Sequence, residues 1–247
     1  MQIGQKIIRL DTVDSTNNYA ANLQKEGRIG HGTVILADEQ TAGRGQRGAI
    51  WDSKPAENLL ISVFLAPANL SVKDQVGLTH YASLSVAEVL RKFGISSEIK
   101  WPNDVLVDGR KIAGILIENT ISNGRVTGSV VGIGLNVNQT GFWGLNATSI
   151  RNSVGHFIPL EEVLFSLMAA MEKLWSILDS GDLTTLREAY LDRLYLKGKR
   201  ASFCDETGDF EGIITGVTAD GQLMVLREEG ERLYGIKDVR FTSQNMP

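Results

Sequence analysis

The 247-residue sequence has one cysteine, Cys204, and three histidines, so thiolate and imidazole metal ligands are scarce. That scarcity excludes an internal disulfide framework and a Cys-rich metal site, and it argues against a His-built zinc site. A basic excess is also lacking: 25 Lys and Arg face 29 Asp and Glu, for a formal net charge of -4. No whole-molecule field draws nucleic acid, so cationic groups that matter must act locally. Long apolar runs are missing too, and the longest, residues 59–67, is far too short to span a bilayer. The opening MQIGQKIIRLD carries charge too early for a secretory signal. A cytoplasmic protein with neither nucleic acid nor membrane as partner is expected. What is present is ordinary globular composition, 43% hydrophobic and 22% charged, on a length that suits one catalytic domain with a small appendage.

Periodicity outlines the elements. Residues 6–10 read as a strand. Asp14 or Ser15 is placed to cap a helix running through Ala20 and Leu23 towards Gly27. Residues 33–37 and 58–65 read as strands, and 72–93 as a helix that stops at Gly94. Between the two strands, residues 39–55 form a long Gly-rich polar loop, and such loops are usually functional. Asp108-Gly109 and Asn123-Gly124 are hairpin dipeptides, so residues 99–138 look like an antiparallel meander. Two amphipathic helices follow, over 161–178 and 183–194. From Lys197 the pattern changes to short strands, with turns at Thr207-Gly208 and Asp220-Gly221. A boundary near Leu194 therefore separates domain 1–194 from a tail, 195–247, too small to be very stable alone and expected to dock on the rest.

Three segments carry chemistry. In Gln40-Thr41-Ala42-Gly43-Arg44-Gly45-Gln46-Arg47-Gly48, followed by Trp51, glycines alternate with arginines. Glycine lets backbone N–H groups approach a ligand, and arginine offers a fixed fork of donors to phosphate or carboxylate. The segment lacks the Gly-Lys-Ser/Thr of a P-loop and does not fit a dinucleotide fingerprint. Taken alone, such a loop reads more readily as a solvated surface. Lys100-Trp101-Pro102-Asn103-Asp104 holds a rigid turn whose Asn and Asp suit a base, a ribose or a metal ion, although Asn-Asp between strands is usually just a turn. Lys111 follows the Asp108-Gly109 turn and precedes an apolar strand. There it can meet an anion or snorkel to water.

Five segments in order, Asp14-Ser15-Thr16-Asn17, Gln40-Thr-Ala-Gly-Arg-Gly, Lys100-Trp-Pro-Asn-Asp, Arg110-Lys-Ile-Ala-Gly-Ile-Leu-Ile-Glu and Gly132-Ile-Gly-Leu-Asn-Val-Asn, resemble the biotin–protein ligase family. The resemblance spans about residues 10 to 140, and the tail around Gly216-Val217-Thr218-Ala219-Asp220-Gly221-Gln222-Leu223 is similar to that family's small barrel. It implies an α+β fold, a mixed and mostly antiparallel sheet with helices packed on it (the class II synthetase-like, biotin/lipoate ligase fold), plus a C-terminal SH3-like β-barrel. It also implies ATP and biotin as substrates, Mg²⁺ as helper, and a biotin carboxyl carrier protein domain of acyl-CoA carboxylase as acceptor. A homodimer formed by sheet extension is among the states the family shows.

The resemblance assigns roles as well. Ser15, Thr16 and Gln40 meet the ureido end of biotin, with Asn17 in the same motif. Arg44 and the backbone of residues 43–48, with Gly43, Gly45 and Gln46, cover the biotin carboxylate and the ATP phosphates. Trp51 packs on adenine, with Asn136 close by. Lys111 contacts the carboxylate and the α-phosphate. Asn103 and Asp104 serve the nucleotide, Asp104 also as a ligand to Mg²⁺. Gly114 and its flanking strand form the biotin floor. Two departures stand out. Gln46 occupies a position where many members carry an arginine associated with holding the adenylate; Arg47 is the compensating candidate. The ligand motif begins at Asp14, which leaves no room for a preceding DNA-binding domain, so a repressor role is not expected.

The chemistry this implies is two-step. A carboxylate and ATP are both anionic, so cations are needed where they meet, and Arg44, Arg47, Lys111 and Mg²⁺ are the candidates. The mixed anhydride hydrolyses readily, which gives a closing loop a purpose. Asp104 is placed to assist the acceptor amine. Two alternatives remain beside the ligase: a lipoate or octanoate ligase of related fold, and a non-catalytic protein that sequesters biotin or its adenylate.

Overall fold

The computed structural model describes residues 2–242, apart from the side chain of Arg47. The strands are β1 (Ile7–Val13), β2 (Val34–Gln40), β3 (Leu59–Leu65), β4 (Glu98–Lys100), β5 (Asp104–Val107), β6 (Arg110–Ser122) and β7 (Arg125–Leu135), then β8 (Arg200–Asp205), β9 (Gly208–Val217), β10 (Leu223–Arg227), β11 (Gly230–Tyr234) and β12 (Arg240–Phe241). The helices are α1 (Thr16–Lys25), α2 (Val76–Lys92), α3 (Ile150–Val154), α4 (Leu160–Ser180) and α5 (Thr184–Asp192). None of the described helices is long and apolar enough to cross a membrane.

The first seven strands make one sheet in the order β1-β2-β3-β7-β6-β5-β4. β1 and β2 pair in parallel, joined through α1, and the other pairs are antiparallel. The expected meander is present as β4 to β7. Both of its hairpin dipeptides adopt positive φ at each residue, 49° and 72° at Asp108-Gly109 and 50° and 73° at Asn123-Gly124, as a tight turn of matching twist demands.

Strand periodicity divides the core between the two faces. On β2, Val34 and Leu36 join the main cluster, and Ile35 joins a smaller one. On β3, Ile61, Val63 and Leu65 face the main cluster, and Phe64 faces the other way. The main cluster is closed by α2 and α4, which bury Leu78, Tyr81, Leu164, Leu167 and Met171. Among the described residues, the one helix over the smaller cluster is α1, through Ala20 and Leu23, with Ile29 of the following loop beside it. One short helix cannot cover a seven-stranded face, so much of it is left for loops and ligands.

The remaining strands form a second sheet, ordered β11-β10-β9-β8-β12. The resemblance implied a closed barrel here. Instead the sheet is open, because β12 is two residues long and no ladder joins it to β11 among the described residues. The sheet docks on the larger unit through the Trp101 indole N–H to Gly221 O at 3.0 Å and Arg187 Nη2 to Val217 O at 2.9 Å. Inside it, the Asp205 carboxylate is 1% exposed and accepts from Arg227, Arg232, Tyr234 and Thr207. Those bonds, led by the Thr207 hydroxyl, hold its pKa down to about 2. A carboxyl depressed on folding stabilises above its unfolded pKa, and the contribution fades as pH falls through the folded value. Thermal unfolding followed from pH 5 to pH 2 should therefore show a falling midpoint over the acid end. Asp205→Asn should flatten that fall and cost roughly 1.5 kcal/mol at neutral pH.

Candidate active site

Three strand glycines make the site. On β7, Gly132 and Gly134 alternate with Val131, Ile133 and Leu135, so the apolar residues serve the core and the glycines bare the face that carries α1. The register sets Gly134 beside Gly114 of β6, and Gly132 beside Ser62 of β3. A Cβ at Gly132 would overlap Asn17 Oδ1, and one at Gly134 would overlap the Trp51 ring. At Gly114 it would stand 2.9 Å from that ring. The indole thus lies on paired glycines, and its own N–H is buried without a partner.

The start of α1 is locked to the sheet beneath it. Thr16 donates both its backbone N–H and its hydroxyl to Gln40 Oε1, at 2.8 and 3.0 Å. Ser62 Oγ lies 2.8 Å from Thr16 Oγ1 and 2.6 Å from Asn17 Oδ1. Asn17 Nδ2 donates to Leu116 O and to Glu118 Oε2. Together with buried Ser15, this is a buried polar corner with fixed donors and acceptors.

The Gly-rich loop folds back as a small hairpin. Arg44 bridges Ile50, Trp51 N donates to Gly43 O at 3.0 Å, and residues 46–48 make one 3₁₀ turn. Gly43 therefore shapes the hairpin, since a Cβ there would overlap the Trp51 carbonyl. Arg44 reaches Glu118 at 2.6 Å, the same carboxylate that holds Asn17.

On the far side of the indole, Lys111 Nζ lies 2.6 Å from Asp104 Oδ1 and 5.5 Å from the centre of the Trp51 ring. Lys100, paired with Asp104 across β4 and β5, lies 4.9 Å over the Phe241 ring. Burial pushes the Lys100 pKa down, and Asp104 opposes that while Lys111 adds to it. Asn103 braces the turn, with its amide donating to Ile115 O. Asn136 is similarly committed, Nδ2 to Thr148 O at 3.0 Å.

These groups frame two adjoining cavities. The first, about 330 Å³, is walled by Ser15, Thr16, Asn17, Gln40, Arg44, Gly45, Gln46, Asn103 and Gly114, and by Arg240 and Phe241 from the C-terminal sheet. The second, about 310 Å³, is walled by Asn136, Phe142, Leu145 and Tyr195. Ile50, Trp51, Lys100, Asp104 and Lys111 belong to both. The sequence candidates therefore converge, with Gly43 set back behind the wall and Arg47 lying, as a side chain, outside the described residues. Five contributors had no role in the sequence reading. Lys100 stood in a quoted motif without a role, Glu118 and Ser62 act through other side chains, and the Arg240-Phe241 pair carries no local signal.

The first cavity gathers Arg44, Lys100, Lys111 and Arg240 against Asp104, a field suited to anions. Its far corner is uncharged and rich in hydrogen-bonding groups, and its floor is a glycine-bared sheet. Such a site suits a ligand with an uncharged polar end and an anionic end. The second cavity suits an aromatic base, next to the same lysines.

Known proteins resemble this chain in sequence and in fold. Residues 10–136 match the model of the biotin/lipoate A/B protein ligase family. The biotin–[acetyl-CoA-carboxylase] ligase of Paracoccus denitrificans is 33% identical over 245 residues, covering 94% of this chain and 99% of that protein. The bifunctional ligase/repressor BirA of Bacillus subtilis is 30% identical, over 94% of this chain and 73% of that protein. Among solved structures, the biotin protein ligase from Aquifex aeolicus in complex with biotin and ATP superposes with a TM-score of 0.80 at 28% identity, over 96% of this chain and all of that one.

Proposed function

The chain belongs to the biotin/lipoate A/B protein ligase family, and on that premise we propose that it is an ATP-dependent biotin–protein ligase working through biotinyl-5'-AMP. The observation that carries this reading is the wall of Trp51, Lys100, Asp104 and Lys111 common to both cavities. Biotin lies in the first cavity, with its ureido ring against Ser15, Thr16, Asn17 and Gln40. Gln40 Oε1 is spent on Thr16, which leaves its NH₂ to donate. Gly114 and its neighbours floor the ring system. The adenine enters the second cavity beside Trp51 and Asn136, and the phosphates pass between.

In the first step a carboxylate oxygen of biotin attacks the α-phosphorus. The bond to the bridging oxygen breaks and pyrophosphate leaves. Lys111 lies where both anions meet, Lys100 beside it, and Arg44, Gly45 and Gln46 cover the site, with Arg47 as a further cation. Fixed positive groups at that point favour the transition state more than the separated anions. Mg²⁺ arriving with ATP would be held by Asp104 and the phosphates, an arrangement usual for this ion, and would supply further charge neutralisation. In the second step the ε-amine of an acceptor lysine attacks the acyl carbon, forming the amide and releasing AMP. Asp104 is the carboxylate at hand for the proton the amine gives up. Residues 195–247, read as an appended unit, lend Phe241 and Arg240 to close the first cavity.

A lipoate or octanoate substrate would leave the Gln40 NH₂ in the polar corner of α1 facing an alkyl tail, and a buried donor without a partner is costly. The acceptor we assign is the biotin carboxyl carrier protein domain of an acyl-CoA carboxylase. Incubation of that domain with the protein, ATP, and biotin, lipoate or octanoate in turn, followed by intact mass, tests the assignment. An adduct with biotin alone is expected; one with lipoate or octanoate alone would move the protein to the other branch of its family.

A further inference from the structure

We propose that a third cavity, at the seam between α2 and the C-terminal sheet, binds the acceptor polypeptide beside its acceptor lysine, taking an amide-bearing stretch of chain free of acidic side chains. The proposal rests on reading the first two cavities as a ligase site. The third measures about 430 Å³; Thr79 and His80 of α2 line one side, and Gln222 of the β9–β10 turn lines another. It shares Gln46, Trp101, Pro102 and Ile236 with the first cavity, so the two adjoin.

The chemistry of the two differs. The first gathers four cationic side chains, whereas no lysine or arginine lines the third among the described residues. A phosphate or carboxylate would find no counter-charge there. The wall carries one carboxylate, Asp220, which accepts from the Thr218 hydroxyl, and otherwise neutral groups, including the side-chain amides of Gln46, Gln75 and Gln222. Two of its polar groups lack partners. His80 is 2% exposed, neither ring nitrogen is hydrogen-bonded, and the ring centre lies 4.3 Å from that of Tyr190. Asn119 Oδ1 is also buried and unpaired, while Nδ2 of the same side chain donates to Gln75. Burial, with the charge of Arg187, keeps the imidazole neutral at physiological pH. Buried polar groups are nearly always bonded in a working assembly, and a peptide unit brings both an N–H and a C=O.

Position favours the acceptor over a free metabolite. The acceptor lysine has to enter the first cavity to reach the acyl carbon. A chain spans at most about 3.3–3.6 Å per residue, so residues a few places from the lysine are within reach of the adjoining cavity.

Thr79→Tyr fills the cavity from α2, and His80→Phe removes its main polar group at similar shape. For each, three rates are compared with wild type: pyrophosphate release from biotin and ATP without acceptor, transfer from biotinyl-AMP to hydroxylamine, and transfer to the intact carrier domain. The first two should stay within about twofold, which also shows the variants to be folded. The KM for the carrier should rise about tenfold or more for Thr79→Tyr and severalfold for His80→Phe. A carrier KM within about twofold of wild type in both variants overturns the proposal. So does a parallel loss of transfer to hydroxylamine, which would give the cavity to the chemistry instead. Should Thr79→Tyr not fold, Gln222→Trp fills the same cavity from the opposite wall and faces the same criterion. Absence of pyrophosphate release from the wild-type protein marks failure of the ligase reading, and the proposal falls with it.

Discussion

Lys111→Ala is expected to slow biotinyl-AMP formation by about 10²–10³, or roughly 3–4 kcal/mol of barrier, with biotin binding close to wild type. The asymmetry follows from position. Lys111 stands at the junction of the cavities, away from the polar corner of α1 that would hold the ureido ring. Its ammonium also neutralises Asp104 at 2.6 Å. Removing it therefore withdraws a cation and exposes a carboxylate to two incoming anions. Part of the loss is repulsion, and that part should be recoverable: Lys111→Ala with Asp104→Asn should form the adenylate faster than Lys111→Ala alone. Single-turnover pyrophosphate release gives the rates, and calorimetry gives biotin affinity. A double variant as slow as the product of two independent losses would show that the pair is not coupled in this way.

Gly134→Ala should weaken ATP by about 10- to 100-fold, the worth of one aromatic stacking surface. A Cβ on Gly134 would overlap the Trp51 ring, so the indole must leave its bed. Strand β7 itself should tolerate the change, because alanine loses less backbone freedom than glycine on folding. The expected outcome is a raised KM for ATP with unchanged or slightly higher thermal stability. Trp51→Ala should reproduce the KM effect, and the two substitutions together should cost little more than either one. Losses that simply add would mean that Gly134 acts on something other than the indole.

What could be read in the sequence was what is local. The β4–β7 meander was legible because Asp108-Gly109 and Asn123-Gly124 fix both turns within two residues each. The parallel pairing of β1 with β2 was not, since it depends on a crossover through α1 and no dipeptide encodes it. The short helix α3 was overlooked for want of periodicity in five residues. At the site, the motif Gly132-Ile-Gly-Leu stood out, but its physical meaning appears only in three dimensions. Glycine at every second position bares one face of a strand while the residues between them fill the core. Lys100 gained a role only when folding brought Phe241 from the far end of the chain over it. Asn103 and Asn136 lie among the candidates, yet their amides brace backbone carbonyls, which the residue type alone does not reveal.

The central claim is that the biotin carboxylate and the α-phosphate of ATP meet at the wall shared by the two cavities. The most direct test supplies biotin labelled with ¹⁸O in both carboxylate oxygens, together with ATP and a carrier domain, and weighs the nucleotide released. Attack on the α-phosphorus predicts AMP carrying one labelled oxygen in its phosphate. Unlabelled AMP, or label appearing in inorganic phosphate beside ADP, would contradict it.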